Sequence, residues 1–254
     1  MVQMDMVQED VSTLVQTGPA LAVALVLLAL AAAAVSRYAC LGHDRAVLVA
    51  SARAVVQLSL VSLALLAVVR SLSLTLLFVA TMYGVASWTA GRRVVTTPAA
   101  AWAALPVGLG TLPVVVALLL AGVVPAEGIA VVPVAGILIG GAMTATALAG
   151  RRAVDELVAR RGEVEAGLAL GLLPRDAALE VCRPAAGQAL VPALDQTRTV
   201  GLVALPGAFV GTLLGGATPV EAGAVQVLIL VALLAVQAVA VAATVELVAR
   251  GTLR

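Results

Sequence analysis

The sequence predicts an all-α integral membrane protein with about seven transmembrane helices, the N-terminus outside and the C-terminus in the cytoplasm. Of the 254 residues, 62% are hydrophobic and only 11% are charged, and the mean hydropathy is +1.13. A soluble domain contains about 25% charged residues, so a water-soluble fold could not hide this much apolar surface. The apolar runs are also long enough to cross a bilayer, which needs roughly 20 such residues in a helix.

Seven segments reach that length. They are 11–36, whose apolar part begins near Pro19, and then 48–69, 71–91, 94–126, 128–150, 199–220 and 222–245. The second contains one charge, Arg53. None shows the alternation of polar and apolar residues that barrel strands require. Because the spans follow each other closely, we predict one transmembrane domain over residues 1–254, with a larger loop at about 151–198.

The arginines predict the orientation, since cytoplasmic loops carry an excess of positive charge. Of the 15 basic residues, all arginine, 13 fall in segments that are cytoplasmic if the N-terminus is outside; Arg70 falls outside and Arg53 lies within a span. The outer segments instead hold acidic residues: Asp5, Glu9, Asp10, Glu127 and Glu221. This alternation requires an odd number of spans. The net charge of +1 gives no reason to expect a nucleic-acid partner.

The 151–198 loop has the composition of a soluble protein. Apolar residues recur near helical spacing from Val154 to Leu172, which predicts a helix that continues the fifth span and is loosened at Gly162. Gly171 suits a helix end, and Pro174 suits the first turn of the next helix. The loop is therefore predicted to be a helix, a tight turn and a second helix.

The same loop resembles the EAA loop of ABC-transporter permeases, on which an ATPase subunit docks. The resemblance lies in Glu165-Ala166-Gly167-Leu168-Ala169-Leu170-Gly171, followed by Pro174, Val181 and Pro184. It implies an ATPase-coupling site formed by Glu163, Glu165, Ala166, Gly171, Pro174, Arg175 and Pro184. Two positions depart from the pattern, because Leu173 replaces a serine that would cap the second helix and Arg183 replaces a leucine. The alternative is a chance match in an ordinary loop.

A second resemblance covers nearly the whole chain. The run Thr199-Val200-Gly201-Leu202-Val203-Ala204-Leu205-Pro206-Gly207, supported by segments 53–58, 132–137 and 141–143, is similar to the FetB-type permeases. These are bacterial iron-export permeases with plant relatives linked to aluminium tolerance.

Membership of this family implies a permease of the bacterial inner membrane that exports iron or another metal ion. It also implies a homodimer that works with a separate ABC ATPase. ATP and Mg would be bound by that partner, and this chain would need no cofactor. The sequence contains no G-x-x-x-x-G-K-[ST] motif, as expected if the partner hydrolyses the ATP. The substrate stays open, because plant relatives have been associated with a nucleotide sugar.

Polar residues within or near the spans are candidates for the transport pathway, because charge inside a bilayer is costly. Arg53 and Gln57 lie four residues apart on one helical face, and Asp195 and Arg198 lie three apart and could pair. We predict that these four form one cluster near the inner mouth, either locking helices together or lining the pathway. Met143 is added as a soft side chain, although single methionines usually fill space.

No metal site is predicted in this chain. His43 is the one histidine, beside Asp44 in a loop, and no span carries two of the ligands that iron(II) favours. Two other classes of function stay open. A secondary transporter, independent of ATP, would favour paired acidic residues deep in the spans or an inverted repeat. A membrane enzyme acting on lipid would have His43–Asp44 as its candidate catalytic pair.

Overall fold

The computed structural model describes residues 18–68 and 71–254, and its chain contacts divide into two compact units after Ala67. The first unit holds two long helices, α1 (Pro19–Tyr38) and nearly all of α2 (Asp44–Val68). Pro19 occupies the first turn of α1, where its missing N–H costs nothing. In the connection between the helices, the Arg37 guanidinium lies 3.7 Å from the Asp44 carboxylate.

The second unit contains the remaining helices. They are α3 (Leu72–Val94), a 3₁₀ helix (Pro98–Ala103), α4 (Ala104–Leu120), α5 (Gly128–Ala159), α6 (Arg161–Ala169), α7 (Pro174–Gly187), a 3₁₀ turn (Gln188–Leu190), α8 (Val191–Thr199), α9 (Gly207–Leu214) and α10 (Pro219–Ala249). Residues 18–68 and 71–254 contain no β-strand. Arg70, Asp5, Glu9 and Asp10, which were used to predict the orientation, lie outside the described residues.

The predicted fold class is confirmed. In the described ranges six helical segments are long and apolar enough to cross a membrane: α1, α2, α3, the 3₁₀ helix with α4, α5 and α10. Each matches one of the predicted spans. The chain is therefore an all-α, multi-pass membrane protein, while the count of seven spans and the orientation stay predictions.

The predicted sixth span, 199–220, is not a single helix in the structure. The chain turns after α8, with Gly201 at a φ of +81°, and α9 is only eight residues long. A helix of this length extends about 12 Å, less than half of a bilayer core. Pro206 precedes α9 and Gly216 follows it with a φ of +93°. The apolar composition suggested one long helix, but glycine and proline interrupt it at both ends.

A buried glutamine of α10 fixes the beginning of α9. Gln226 is 4% exposed, and its side-chain oxygen accepts a hydrogen bond of 3.1 Å from the backbone N–H of Phe209. Phe209 is in the first turn of α9, where a backbone N–H has no partner within the helix. Gln226 therefore holds the short helix against α10.

We expect Gln226→Leu to destabilise the protein, because it leaves the partly buried N–H of Phe209 without a partner. The cost of such a group is about 1–3 kcal/mol, which corresponds to a fall in melting temperature of roughly 2–10 °C for a protein of this size. Gln237→Leu on the same helix is the matched control, since the described residues show no hydrogen bond from Gln237. Equal melting temperatures for the two variants would contradict this role of Gln226.

The helices of the second unit enclose two hydrophobic clusters. One lies between α3, α4, α5 and α10 and includes Val107, Leu138 and Val236. The other joins the last turns of α5 and α10 to α7 and includes Leu157, Cys182 and Val248. The second cluster matters for the site, because it attaches part of the 151–198 loop to two membrane-length helices.

Close approach of another backbone segment leaves no room for a side chain at Gly91. Gly91, near the end of α3, faces the 3₁₀ helix, and a methyl group added there would collide with the backbone carbonyl of Ala100. Gly84, two turns earlier on the same helix, has nothing within 4 Å of the equivalent position. The sharp turn between α3 and α4 therefore depends on Gly91.

Candidate functional site

The central part of the 151–198 loop folds as predicted into a helix, a tight turn and a helix, and a 3₁₀ turn and α8 complete the loop. Helix α5 continues past the membrane-length segment to Ala159, and the break falls at Arg160 instead of Gly162. We call residues 161–187, which comprise α6, the turn and α7, the elbow. The seven predicted coupling residues are exposed and lie in this elbow: Glu163, Glu165, Ala166, Gly171, Pro174, Arg175 and Pro184.

Gly171 forms the turn of the elbow. Its φ is +91°, a conformation that side chains with a Cβ rarely adopt. The N–H of Gly171 bonds to the carbonyl of Leu168 and the N–H of Leu172 to that of Gly167, both at 3.0 Å. This pair of bonds is the Schellman arrangement that ends many helices. The turn is thus fixed by backbone hydrogen bonds, as the sequence predicted.

Exposed leucines surround this turn. Leu170 is 86% exposed and Leu173 is 67% exposed, and Leu168 and Leu172 are also exposed. The loop has a soluble-type composition, so these side chains are not explained by burial in lipid. A cluster of large apolar side chains on a rigid polar segment is typical of a protein–protein contact.

The carboxylates of α6 are held by neighbouring arginines. Arg160 contacts both Glu156, at 3.2 Å, and Glu163. Arg161 donates a 2.9 Å hydrogen bond to Glu165. The hydrogen bond from Arg160 holds the pKa of Glu163 below its usual value and raises the pKa of Arg160. Glu163 therefore stays anionic at neutral pH.

Helix α7 is the anchored arm of the elbow. Pro174 opens it, Asp176 lies in its first turn, and Leu173 stands at the N-cap without a side-chain hydrogen bond. Its inner face is buried in the cluster with α5 and α10, and burial raises the pKa of the Cys182 thiol. By contrast, α6 has no buried residue. Within the elbow, α7 is therefore fixed by packing against α5 and α10, whereas α6 is mostly exposed.

An open groove of about 440 Å³ lies between α6 and α7. Its apolar lining includes Leu170, Leu172 and Val181, and Glu163 and Glu180 stand among the lining residues. Within the described part of the chain Glu180 makes no ion pair. The groove is therefore shaped for an apolar side chain and favours a positive charge at its rim.

Arg175 makes a contact that the sequence did not indicate. Its guanidinium forms two hydrogen bonds to the carboxylate of Glu246 in α10, of 2.6 and 2.7 Å. These bonds raise the pKa of Arg175. The two residues are 71 positions apart, so no spacing rule could pair them. The one available signal was an acidic residue at the end of an apolar span, where an unpaired charge is rare.

The predicted polar cluster is divided between the two units. Arg53 and Gln57 lie on α2 in the first unit, both exposed. In the second unit, the predicted pairing of Arg198 with Asp195 is present at 3.5 Å, and Met143 contacts the cluster that contains Leu138. The association of all five residues in one cluster stays a prediction.

Metal-ligating side chains are scattered. Residues 18–68 and 71–254 contain no group of three or more His, Cys, Asp or Glu that could hold a metal ion. A cavity of about 550 Å³ between α4, α5, α9 and α10 is lined by apolar and small residues, with Thr212 as its one hydroxyl. The Thr212 hydroxyl donates to the carbonyl of Ala208, so it adds no free ligand to the cavity.

Comparison with known proteins gives the family. The family model described as "Uncharacterised protein family (UPF0014)" matches residues 19–253. The chain is a member of the UPF0014 family. This UPF0014 protein is 32% identical over 219 residues to "Probable iron export permease protein FetB" of Escherichia coli (strain K12), covering 84% of the chain and 83% of that relative. The resemblance predicted from the 199–207 run is thereby confirmed.

Plant proteins are also similar to the UPF0014 chain. "UPF0014 membrane protein STAR2" of Oryza sativa subsp. japonica is 37% identical over 215 residues, which cover 84% of this chain and 74% of the relative. "Protein ALUMINUM SENSITIVE 3" of Arabidopsis thaliana is 38% identical over 150 residues, which cover 59% and 55%. No solved structure matches the chain significantly.

Proposed function

We propose that this chain is the membrane subunit of an ATP-driven ABC transporter and that a separate ATPase subunit docks on the elbow. The main support for the proposal is the rigid turn at Gly171, on which Leu170 and Leu173 are exposed. Apolar side chains held on a fixed backbone lose little entropy when a partner buries them. The permease relative FetB supports the same assignment.

The partner surface follows from the chemistry of the elbow. The exposed leucines require an apolar socket on the partner. Glu180 makes no ion pair in the described chain and favours a basic residue beside that socket, and Glu163 and Glu165, which Arg160 and Arg161 already contact, add weaker acidic contacts. In this arrangement the ATPase binds ATP and Mg, and closure of two ATPase subunits pushes on the elbows of two permease chains. The elbow then lies on the cytoplasmic face of a bacterial inner membrane.

The proposed cargo is iron or another metal ion, moved outward. The name of the bacterial relative refers to iron export, and that of the Arabidopsis relative to aluminium sensitivity. The proposed contacts along the pathway are the polar residues Arg53, Gln57, Asp195 and Arg198 together with the thioether of Met143. The metal ion would be bound transiently, by a small number of protein ligands at each position along the pathway.

Charge reversal of Glu165 tests the docking. The chain is co-expressed with an ABC ATPase from a neighbouring gene, whose presence the proposal predicts, and co-purification and ATP turnover are measured. We expect Glu165→Arg to weaken binding about tenfold, because it removes an anionic contact and places two arginines side by side. Glu127→Arg is the matched control, since Glu127 is exposed at the opposite end of α5.

Two results would contradict the proposal. Unchanged docking and turnover in Glu165→Arg would show that this carboxylate takes no part in the contact. Movement of iron(II) by vesicles that contain the purified chain alone, with no nucleotide, would instead indicate a secondary transporter.

A further inference from the structure

The ion pair between the elbow and the last helix has the geometry of a clamp. The Arg175 guanidinium donates through two nitrogens to both oxygens of Glu246, and its third nitrogen donates to Asp176 at 2.7 Å. Arg250 donates a further bond of 2.6 Å to the same Glu246 carboxylate. Two-point binding of a carboxylate by arginine fixes orientation as well as distance.

This pair differs from the other ion pairs of the described chain in what it connects. Those others join residues no more than seven positions apart, such as Arg161–Glu165 and Asp195–Arg198. Such local pairs stiffen one helix or one turn and contribute little. Arg175–Glu246 instead ties the loop to a membrane-length helix.

Packing strengthens the same connection. Beside the clamp, Val181 and Cys182 of α7 are buried in one cluster with Val245 and Val248 of α10. A displacement of α7 must therefore displace the end of α10 as well, because close-packed interiors yield little to strain.

Helix α10 is suited to carry that displacement. It has 31 residues with no proline beyond its first position, and the Thr218–Glu221 capping box closes its beginning. About 30 Å from Glu246, at 1.5 Å per residue, Gln226 holds the short helix α9. The clamp and α9 thus lie at the two ends of one continuous helix.

We propose that the Arg175–Glu246 clamp is the positioning contact through which movement of the elbow is transmitted to α10 and, through α10, to α9. The inference rests on the proposed function, because it presupposes an ATPase that moves the elbow. It assigns Arg175 to transmission inside this chain, not to contact with the ATPase. Docking and transmission are therefore separable by mutation.

The test uses the complex of the chain with its proposed ABC ATPase partner in detergent. A cysteine replaces Val220, which is 82% exposed near the start of α10, in a Cys40→Ser background, since Cys40 is exposed and Cys182 is buried. The rate of maleimide labelling is measured with and without ATP and vanadate. In the otherwise unchanged complex we expect nucleotide to alter the rate.

Charge reversal then isolates the clamp. We expect Glu246→Arg to reduce the nucleotide-dependent change about fivefold, while co-purification of the ATPase stays the same. Arg175→Glu should reduce the change by a similar factor. The double variant, Arg175→Glu with Glu246→Arg, should restore part of the change, because the swapped charges attract each other again while Asp176 and Arg250 then lie beside like charges. Arg37→Glu, which breaks the local pair with Asp44, is the control. Melting temperatures show whether the single variants still fold.

The outcomes separate the two proposals. If the wild-type chain binds no ATPase, the proposed function is wrong, and the inference that rests on it is wrong as well. If the wild-type complex hydrolyses ATP but the labelling rate at position 220 does not change, the inference alone is wrong. The inference is also wrong if folded Arg175→Glu shows the same nucleotide-dependent change in labelling rate as the wild type. If a single variant does not fold, the double variant provides the test. A folded double variant whose labelling rate does not respond to nucleotide also contradicts the proposed role of the clamp.

Discussion

Replacing Gly91 with alanine is expected to destabilise the protein by about 3 kcal/mol or more. The added methyl group would collide with the backbone carbonyl of Ala100, which belongs to the turn between α3 and α4. A flexible side chain could rotate away, but a backbone carbonyl cannot move without displacing the 3₁₀ helix. The measurement is the melting temperature and the yield of monodisperse protein in detergent.

Gly84→Ala is the control for this substitution. Gly84 lies on the same helix with open space around its Cα, and alanine favours helix over glycine. We expect Gly84→Ala to leave the melting temperature unchanged or slightly raised. If Gly91→Ala melts at the same temperature as Gly84→Ala, the close contact between α3 and the 3₁₀ helix is wrong.

Replacing Leu170 and Leu173 together with glutamate is expected to abolish docking of the ATPase, with a loss in affinity of about 100-fold or more. Large apolar side chains at the centre of an interface each contribute about 2 kcal/mol or more, and a carboxylate buried in an apolar socket adds a further penalty. Both side chains are exposed in the isolated chain, so the melting temperature should not change. Binding is measured by titration of the purified ATPase.

Leu41→Glu provides the matched control for the elbow variant. Leu41 is an exposed leucine in the connection between α1 and α2, which is also predicted to be cytoplasmic. We expect it to leave docking intact. Equal binding by the Leu170/Leu173 variant and the Leu41 variant would exclude the elbow as the contact surface.

The sequence allowed prediction of those features that depend on local chemistry. Six of the seven spans predicted from long apolar runs are helices of membrane-spanning length in the structure. They could be predicted because the length of an apolar run determines whether a helix can cross a bilayer. Gly171 and Pro174 located the turn of the elbow, since each residue type has its own preferred backbone conformation. The Asp195–Arg198 pair followed from helical spacing.

Features that depend on the meeting of distant segments were not predicted. The segment 199–220 has the composition of a span, but Gly201 and Pro206 break it, and Gln226, more than ten residues later, holds the short helix that remains. The Arg175–Glu246 clamp joins residues 71 positions apart. The contact of Gly91 with Ala100 depends on how closely two helices approach, which composition does not specify.

The most direct test of ATPase docking is site-specific photo-crosslinking from position 170. A benzoylphenylalanine replaces Leu170 at the exposed turn, which keeps the position apolar, and the same group at position 41 serves as the reference. With the ABC ATPase that the proposal predicts co-expressed, we expect a covalent product between position 170 and the ATPase, identified by mass spectrometry, and none from position 41. An ATPase that co-purifies but reacts only from position 41, or an ATPase that does not associate with the chain at all, would contradict the account.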